Sequence, residues 1–186
     1  MNNRHPLKHR RDDLYETPAV AVEALLRVEK LPHRLWEPAC GRGAIVDVLR
    51  EAGHQVIASD LVDHGRPDFF SRRDFLMEPL PKGVEAIITN PPFKLAEQFV
   101  AHALDLSPRV VMLLRLAFVE SERRADLIER RGLCKIHVFA KRLPMMHRAG
   151  WNGPRASSNI PFARFCWDQA YRGPTEIDRI RWEQAS

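Results

Sequence analysis

Leu35-Trp36-Glu37-Pro38-Ala39-Cys40-Gly41-Arg42-Gly43 runs a short apolar strand into a glycine-bearing loop, and a helical pattern follows at once. Ile45, Val48, Leu49 and Ala52 recur at the helical period, with Gly53 as a stop signal. Gln55 to Ser59 then reads as a second strand, ending in Asp60. Working outward, Thr17-Pro18 is expected to open a helix, Thr17 as N-cap and Pro18 at the first helical position, with Ala21, Ala24, Leu25 and Val28 on one face. Asp68 to Leu76 is read as a short strand and a turn, and Val84 to Thr89 as a buried strand. A helix follows with Ala96, Phe99, Val100 and Ala103 on one face. Arg109 to Leu116 is a fifth strand, Glu120 to Arg131 a charged helix, and Leu133 to Ala140 with Phe162 to Trp167 a closing pair of strands. This alternation predicts an α/β fold: a doubly wound, mostly parallel, seven-stranded Rossmann-like sheet with an antiparallel terminal strand.

The 186 residues are 45% hydrophobic and 28% charged, as in a soluble globular chain. They suit one domain over 15–186, preceded by a mobile basic arm at 1–14 that carries Arg4, Lys8, Arg10 and Arg11. No apolar run reaches membrane-spanning length, and no signal-peptide pattern opens the chain. Cys40, Cys134 and Cys166 are spaced neither for zinc nor for a disulfide framework, so a cytoplasmic protein without metal is expected. Net charge is +5 and the pI about 9.4. Arg130 to Trp167 contains no Asp or Glu, yet holds Arg130, Arg131, Lys135, Lys141, Arg142, Arg148, Arg155 and Arg164. Such a stretch is either a surface facing a polyanion or, in part, buried strand from which acids are absent anyway.

Asn90-Pro91-Pro92-Phe93 follows the fourth strand directly. Each proline fixes its own φ and drives the preceding residue out of the helical region, which makes a stiff corner at the carboxyl edge of the sheet. The corner offers acceptors and an aromatic face, as a flat amino-heterocycle requires; an ordinary Pro-Pro turn is the plain alternative. The Gly41-x-Gly43 loop lets backbone approach a ligand, but Val46 stands where a dinucleotide fingerprint has its third glycine. Asp60 is placed to accept from ribose hydroxyls, or else to cap the next segment.

Glu37 to Gly43 and Asn90 to Phe93 together resemble the S-adenosylmethionine-dependent N6-adenine methyltransferases, most of all the small enzymes of phages and prophages. The resemblance spans about Tyr15 to Trp167 and implies the class I methyltransferase fold. It implies that Tyr15, Thr17 and Pro18 meet the methionine carboxylate of the cofactor and that Glu37 faces its amino group. Pro38, Ala39, Cys40, Gly41 and Gly43 would lie beneath the cofactor, and Asp60 on its ribose. Asp74 would accept from its adenine, with Phe75 beside that ring. Asn90 and Pro91 would hold the target amino group, with Pro92 stiffening the corner and Phe93 stacking on the base, which must be flipped out or unpaired. The product would be S-adenosylhomocysteine, with no metal involved and Cys40 a packing residue. DNA is the implied substrate. RNA, a protein glutamine side chain, or an inactive nucleic-acid-binding module are the rivals. A loop insertion near 141–159 stands in for a recognition domain, with Lys141, Arg142, Arg148, Trp151 and Arg155 as candidate nucleic-acid contacts and Trp151 alternatively a loop anchor. A monomer or homodimer is expected.

Overall fold

The chain forms α1 (Ala19–Val28), β1 (Arg34–Glu37), α2 (Ala44–Glu51), β2 (Gln55–Asp60), β3 (Ser71–Arg72), β4 (Ala86–Thr89), α3 (Ala96–Leu106), β5 (Arg109–Arg115), β6 (Leu133–Phe139), β7 (Phe162–Asp168) and β8 (Glu176–Ile180). The computed structural model describes residues 16–144 and 159–183. Among the described residues one sheet holds all the strands, in the order β3-β2-β1-β4-β5-β7-β6-β8. β7 runs antiparallel to both its neighbours, β5 and β6. The other pairings are parallel.

The doubly wound α/β reading therefore holds, with one strand more than the seven expected. The antiparallel strand lies inside the sheet, and β8 extends the sheet beyond β6. β8 is Glu-Ile-Asp-Arg-Ile and exposed over all but its last residue. Charge of this kind protects a sheet edge from pairing with other chains and also hides the strand from a hydrophobicity pattern.

Two apolar layers sandwich the sheet. Trp36, Phe75, Phe99, Leu104 and Phe165 pack on the α3 side. Val22, Leu25, Leu35, Leu49 and Ile88 pack on the α1–α2 side. All four residues of β4, and Val110 to Leu114 of β5, are buried, as parallel strands covered on both faces must be. α1 starts one residue later than expected. Pro18, with ψ 137°, is its extended flanking residue, and no side chain among the described residues caps the helix. Its buried stripe is Ala21, Val22, Ala24 and Leu25, while Val28 in the last turn is 44% exposed. The segment expected as a charged helix forms short 3₁₀ turns at Leu116–Glu120 and Glu122–Arg124, and one π-type turn at Asp126–Arg130. Within Glu122–Arg130 only Leu127 is buried, too narrow a stripe to hold a regular helix on the sheet.

Gly132 leads this segment into β6 with φ +75°, and a Cβ there would stand 2.3 Å from the Asp168 carbonyl oxygen. Gly132→Ala combines left-handed strain with a backbone clash. It should cost about 2 kcal/mol or more of unfolding free energy. The readout is a lowered urea midpoint; an unchanged midpoint would mean that β6 enters the sheet by another path.

Candidate active site

The carboxyl ends of β1, β2, β4 and β5 meet along one edge, carrying Glu37, Asp60, the Asn90 corner and Arg115. Glu37 is fully buried. Its Oε1 accepts from the Ala39 N–H and from the Thr89 hydroxyl, while Oε2 has no hydrogen-bond partner among the described residues. Burial pushes its carboxyl up to about 8, against the pull of the Thr89 and Ala39 hydrogen bonds. Asp60 Oδ2 accepts from Gly41 N–H at 2.8 Å and Oδ1 from Val62 N–H at 3.0 Å. It thus locks the loop of β1 to the end of β2, and each oxygen keeps a lone pair for a further donor. Gly41 (φ +52°) and Gly43 (φ +91°) both lie in the left-handed region. Arg66 packs against Gly43 where a side chain would otherwise sit, donating to the Arg42 carbonyl at 2.6 Å and pairing with Asp47 and Asp68. Cys40 is buried and its thiol is pushed up to about 12 by burial, so it is a protonated packing group.

At the corner Pro91 is buried, and Asn90, Pro92 and Phe93 are half-buried. Pro92 (φ −54°, ψ 126°) turns the chain into a 3₁₀ turn, Phe93–Leu95, ahead of α3. The Phe93 ring sits 5.5 Å from Phe162, tilted by 34°. The Arg115 guanidinium lies over it at 4.5 Å.

Glu37, Pro38, Ala39, Cys40, Gly41, Gly43, Asp60 and Asn90 to Phe93 are therefore brought to one edge. Thr17 is buried and Pro18 half-buried at the start of α1. Asp74 accepts from Leu76 N–H at 3.1 Å, as the cap of a short turn. Phe75 departs from expectation: it is 2% exposed, with its ring 5.2 Å from Trp36 and 4.8 Å from Phe99. It is a core residue, and its ring is not available to a ligand. Tyr15, Arg148, Trp151 and Arg155 lie outside the described residues. Lys141 and Arg142 are exposed, and Lys141 pairs with Glu183.

The acid-free stretch is not one surface. Arg130 and Arg131 lie at the opposite edge of the sheet, before β6, and Arg131 pairs with Asp105. Lys135 pairs with Glu29. Arg164 is wholly buried on β7, with no acceptor among the described residues on any of its three guanidinium nitrogens. Burial draws it down to about 10, while the fields of Cys166 and Glu37 raise it. Acids are absent from much of this stretch because it is strand, and their absence concealed a buried cation.

Two features of this edge escaped the sequence reading, as did a cluster away from it. Arg115 is hidden as the last residue of an apolar run. Leu61 and Phe70, 62% and 57% exposed, flank the end of β2 as an apolar platform beside Asp60. Glu29, His137 and Cys166 bring ligand-type atoms within 4.8 Å of one another beneath α1, where Glu29 is already engaged by His137 (2.9 Å) and Lys135.

Neither a family profile nor a curated protein sequence matches the chain. Its fold matches solved structures. A Listeria monocytogenes protein described as a class I S-adenosylmethionine-dependent methyltransferase superposes with TM-score 0.63 at 13% identity, over 96% of this chain and 68% of that one. A Vibrio vulnificus protein described as the modification subunit of a type I restriction enzyme gives 0.61 at 16% identity, over 89% and 47%. A dimethyladenosine transferase from Plasmodium falciparum gives 0.54 at 16% identity, over 83% and 62%. At these identities the likeness is one of fold: the Rossmann-like sheet of class I methyltransferases. No helix among the described residues is long and apolar enough to cross a membrane.

The buried Glu37 carboxyl makes a pH prediction. Its folded pKa, about 8, is above the ordinary 4.5, so between those values the folded chain keeps a proton that the unfolded chain has lost. Its contribution to stability is full at low pH and is lost as pH rises through this window, at no more than about 1.4 kcal/mol per pH unit. Glu37→Gln should flatten that decline in a series of urea titrations from pH 5 to 8.5; an unaltered pH dependence would place the carboxyl in water.

Proposed function

We propose that the chain transfers a methyl group from S-adenosylmethionine to the N6 amino group of adenine in DNA. The observation that carries this reading is the joining of two loops at one edge: the Glu37 carboxyl binds the Thr89 hydroxyl, which immediately precedes Asn90. A cofactor on β1 and a target at the β4 corner would thereby be held relative to each other, and the likeness to a methyltransferase fold supports this reading.

The residues present suit the cofactor. The buried Glu37 Oε2, with no partner among the described residues, would accept from an ammonium group as the carboxyl gives up its proton, the remaining lone pairs of Asp60 suit ribose hydroxyls, and exposed Leu61 suits the face of an adenine. Bound S-adenosylmethionine supplies a methyl group already activated by its sulfonium. The chain's task is then placement and lone-pair release. An adenine amino nitrogen is a poor nucleophile because its lone pair is delocalised into the ring. Acceptance of its two N–H bonds by the Asn90 side chain and the Pro91 carbonyl favours a pyramidal nitrogen. With S-adenosylmethionine bound there, the nitrogen would take the methyl group as the sulfonium lets it go, and the amino proton would pass to water. Phe93 supports the flipped base.

The test is transfer of labelled methyl to unmethylated duplex DNA, single-stranded DNA and RNA in parallel, with the modified base identified by mass spectrometry. N6-methyladenine in DNA is expected. Asn90→Ala should reduce transfer by about 10²-fold or more while cofactor affinity by calorimetry stays within a few-fold. Retention of most activity by that variant, or label only in RNA, would overturn this reading.

A further inference from the structure

Beside Phe93, on its α3 side, a cavity of about 270 Å³ is lined by Phe93, Lys94, Glu97, Arg115, Arg123 and Arg124 among others. Four of these are cations and one an acid. Glu97 is spent on two of the cations, its Oε2 accepting from Arg123 at 2.7 Å and Arg124 at 3.4 Å. Arg124 is held further by the Phe118 carbonyl at 2.6 Å and lies over the Phe118 ring. That leaves Lys94 and Arg115, both exposed and neither paired with a carboxylate among the described residues. Arg115 rests instead over Phe93, the ring assigned above to the target base.

We propose that this cavity holds the sugar–phosphate flanking the flipped base, and that Arg115 leaves the Phe93 ring for that phosphate when the base arrives. The proposal rests on the nucleic-acid reading given above and adds the path of the substrate strand. An exposed cation–π contact is weaker than the stacking of a base on an aromatic ring, so the base wins the face of Phe93. The displaced guanidinium then lies in a cavity whose own anion is neutralised, and a phosphate supplies the missing charge with bidentate geometry. At about 270 Å³ the cavity is below the range of small-molecule pockets, about 300–1,000 Å³, and suits one backbone unit of a strand. An acidic peptide would meet the same cations but would gain nothing from the ring. A second basic cavity, lined by Arg130, Arg131 and Arg172, opens at the opposite edge of the sheet, far from the corner, and serves as a control.

The experiment is binding of a fluorescent, adenine-containing single-stranded oligonucleotide by anisotropy at several salt concentrations. It uses the full chain, the Lys94→Ala/Arg115→Ala variant and the opposite-edge Arg130→Ala/Arg172→Ala variant. The first variant should weaken binding about tenfold or more and lower the slope of log K against log salt by about 0.7, one phosphate contact on a single strand. Its cofactor affinity by calorimetry should be unchanged, and the opposite-edge variant should bind within about twofold of wild type. Equal affinity and slope in the Lys94/Arg115 variant, with DNA still methylated by the wild type, would remove the cavity and leave the function standing. Wild type that binds the cofactor but no nucleic acid would overturn both. Polyglutamate that competes as well as an oligonucleotide of equal charge would assign the cavity to an acidic peptide instead.

Discussion

The Glu37 carboxyl is the point at which fold and site become one object. Ionised, unpaired burial would cost many kcal/mol, so the group stays neutral or finds a partner. One of its oxygens is spent on structure, joining the loop after β1 to the end of β4. The other has no partner among the described residues, nor has the buried guanidinium of Arg164, whose charge Glu37 feels. Two opposite groups, each unsatisfied among the described residues and both buried at one sheet, are a standing liability for stability. Such liabilities concentrate at sites where a ligand completes the set.

What sets the shape of the loop between β1 and α2 can be decided by magnitude. The Arg66–Asp47 and Arg66–Asp68 pairs brace it from outside, and Asp47 is 55% exposed. Exposed pairs contribute from nothing to about 1 kcal/mol each. Two left-handed glycines, by contrast, would each strain by about 1–3 kcal/mol if given a side chain. The Asp60 carboxylate then fixes the loop through a charge-assisted bond to Gly41 N–H. The backbone dictates the loop, and the ion pairs follow it.

Where local pattern and tertiary role coincide, the sequence was readable. The strand–loop–helix from Leu35 to Glu51, the buried β4 and β5 and the proline corner all signal themselves through apolar runs and residues that restrict φ. Legibility failed where a residue's role is set by a distant neighbour. Phe75 follows an acid in a turn, as a ligand-side aromatic would, yet Trp36 and Phe99 take it into the core. Arg164 counts as positive charge in any tally, but period-two alternation on β7 carries it beneath α1. β8 is mostly charged and finds its place only through backbone pairing with β6. The helix read from Glu120 to Arg131 has polar residues enough for a surface helix and too little apolar stripe to dock one.

The interior position of β7 also bears on how the chain reaches this structure. Arg115 pairs with Phe162 and Arg109 with Asp168, so the middle of the sheet is closed across the whole 116–161 segment. Until those residues leave the ribosome, β5 is an apolar strand with one row of N–H and C=O groups open to any passing partner. Pairings of such long sequence separation form slowly, because the loop-closure entropy is lost before the contacts are gained. The nascent chain therefore spends its most adhesive interval with one side of β5 open, waiting for a strand that is made only after the 116–161 segment.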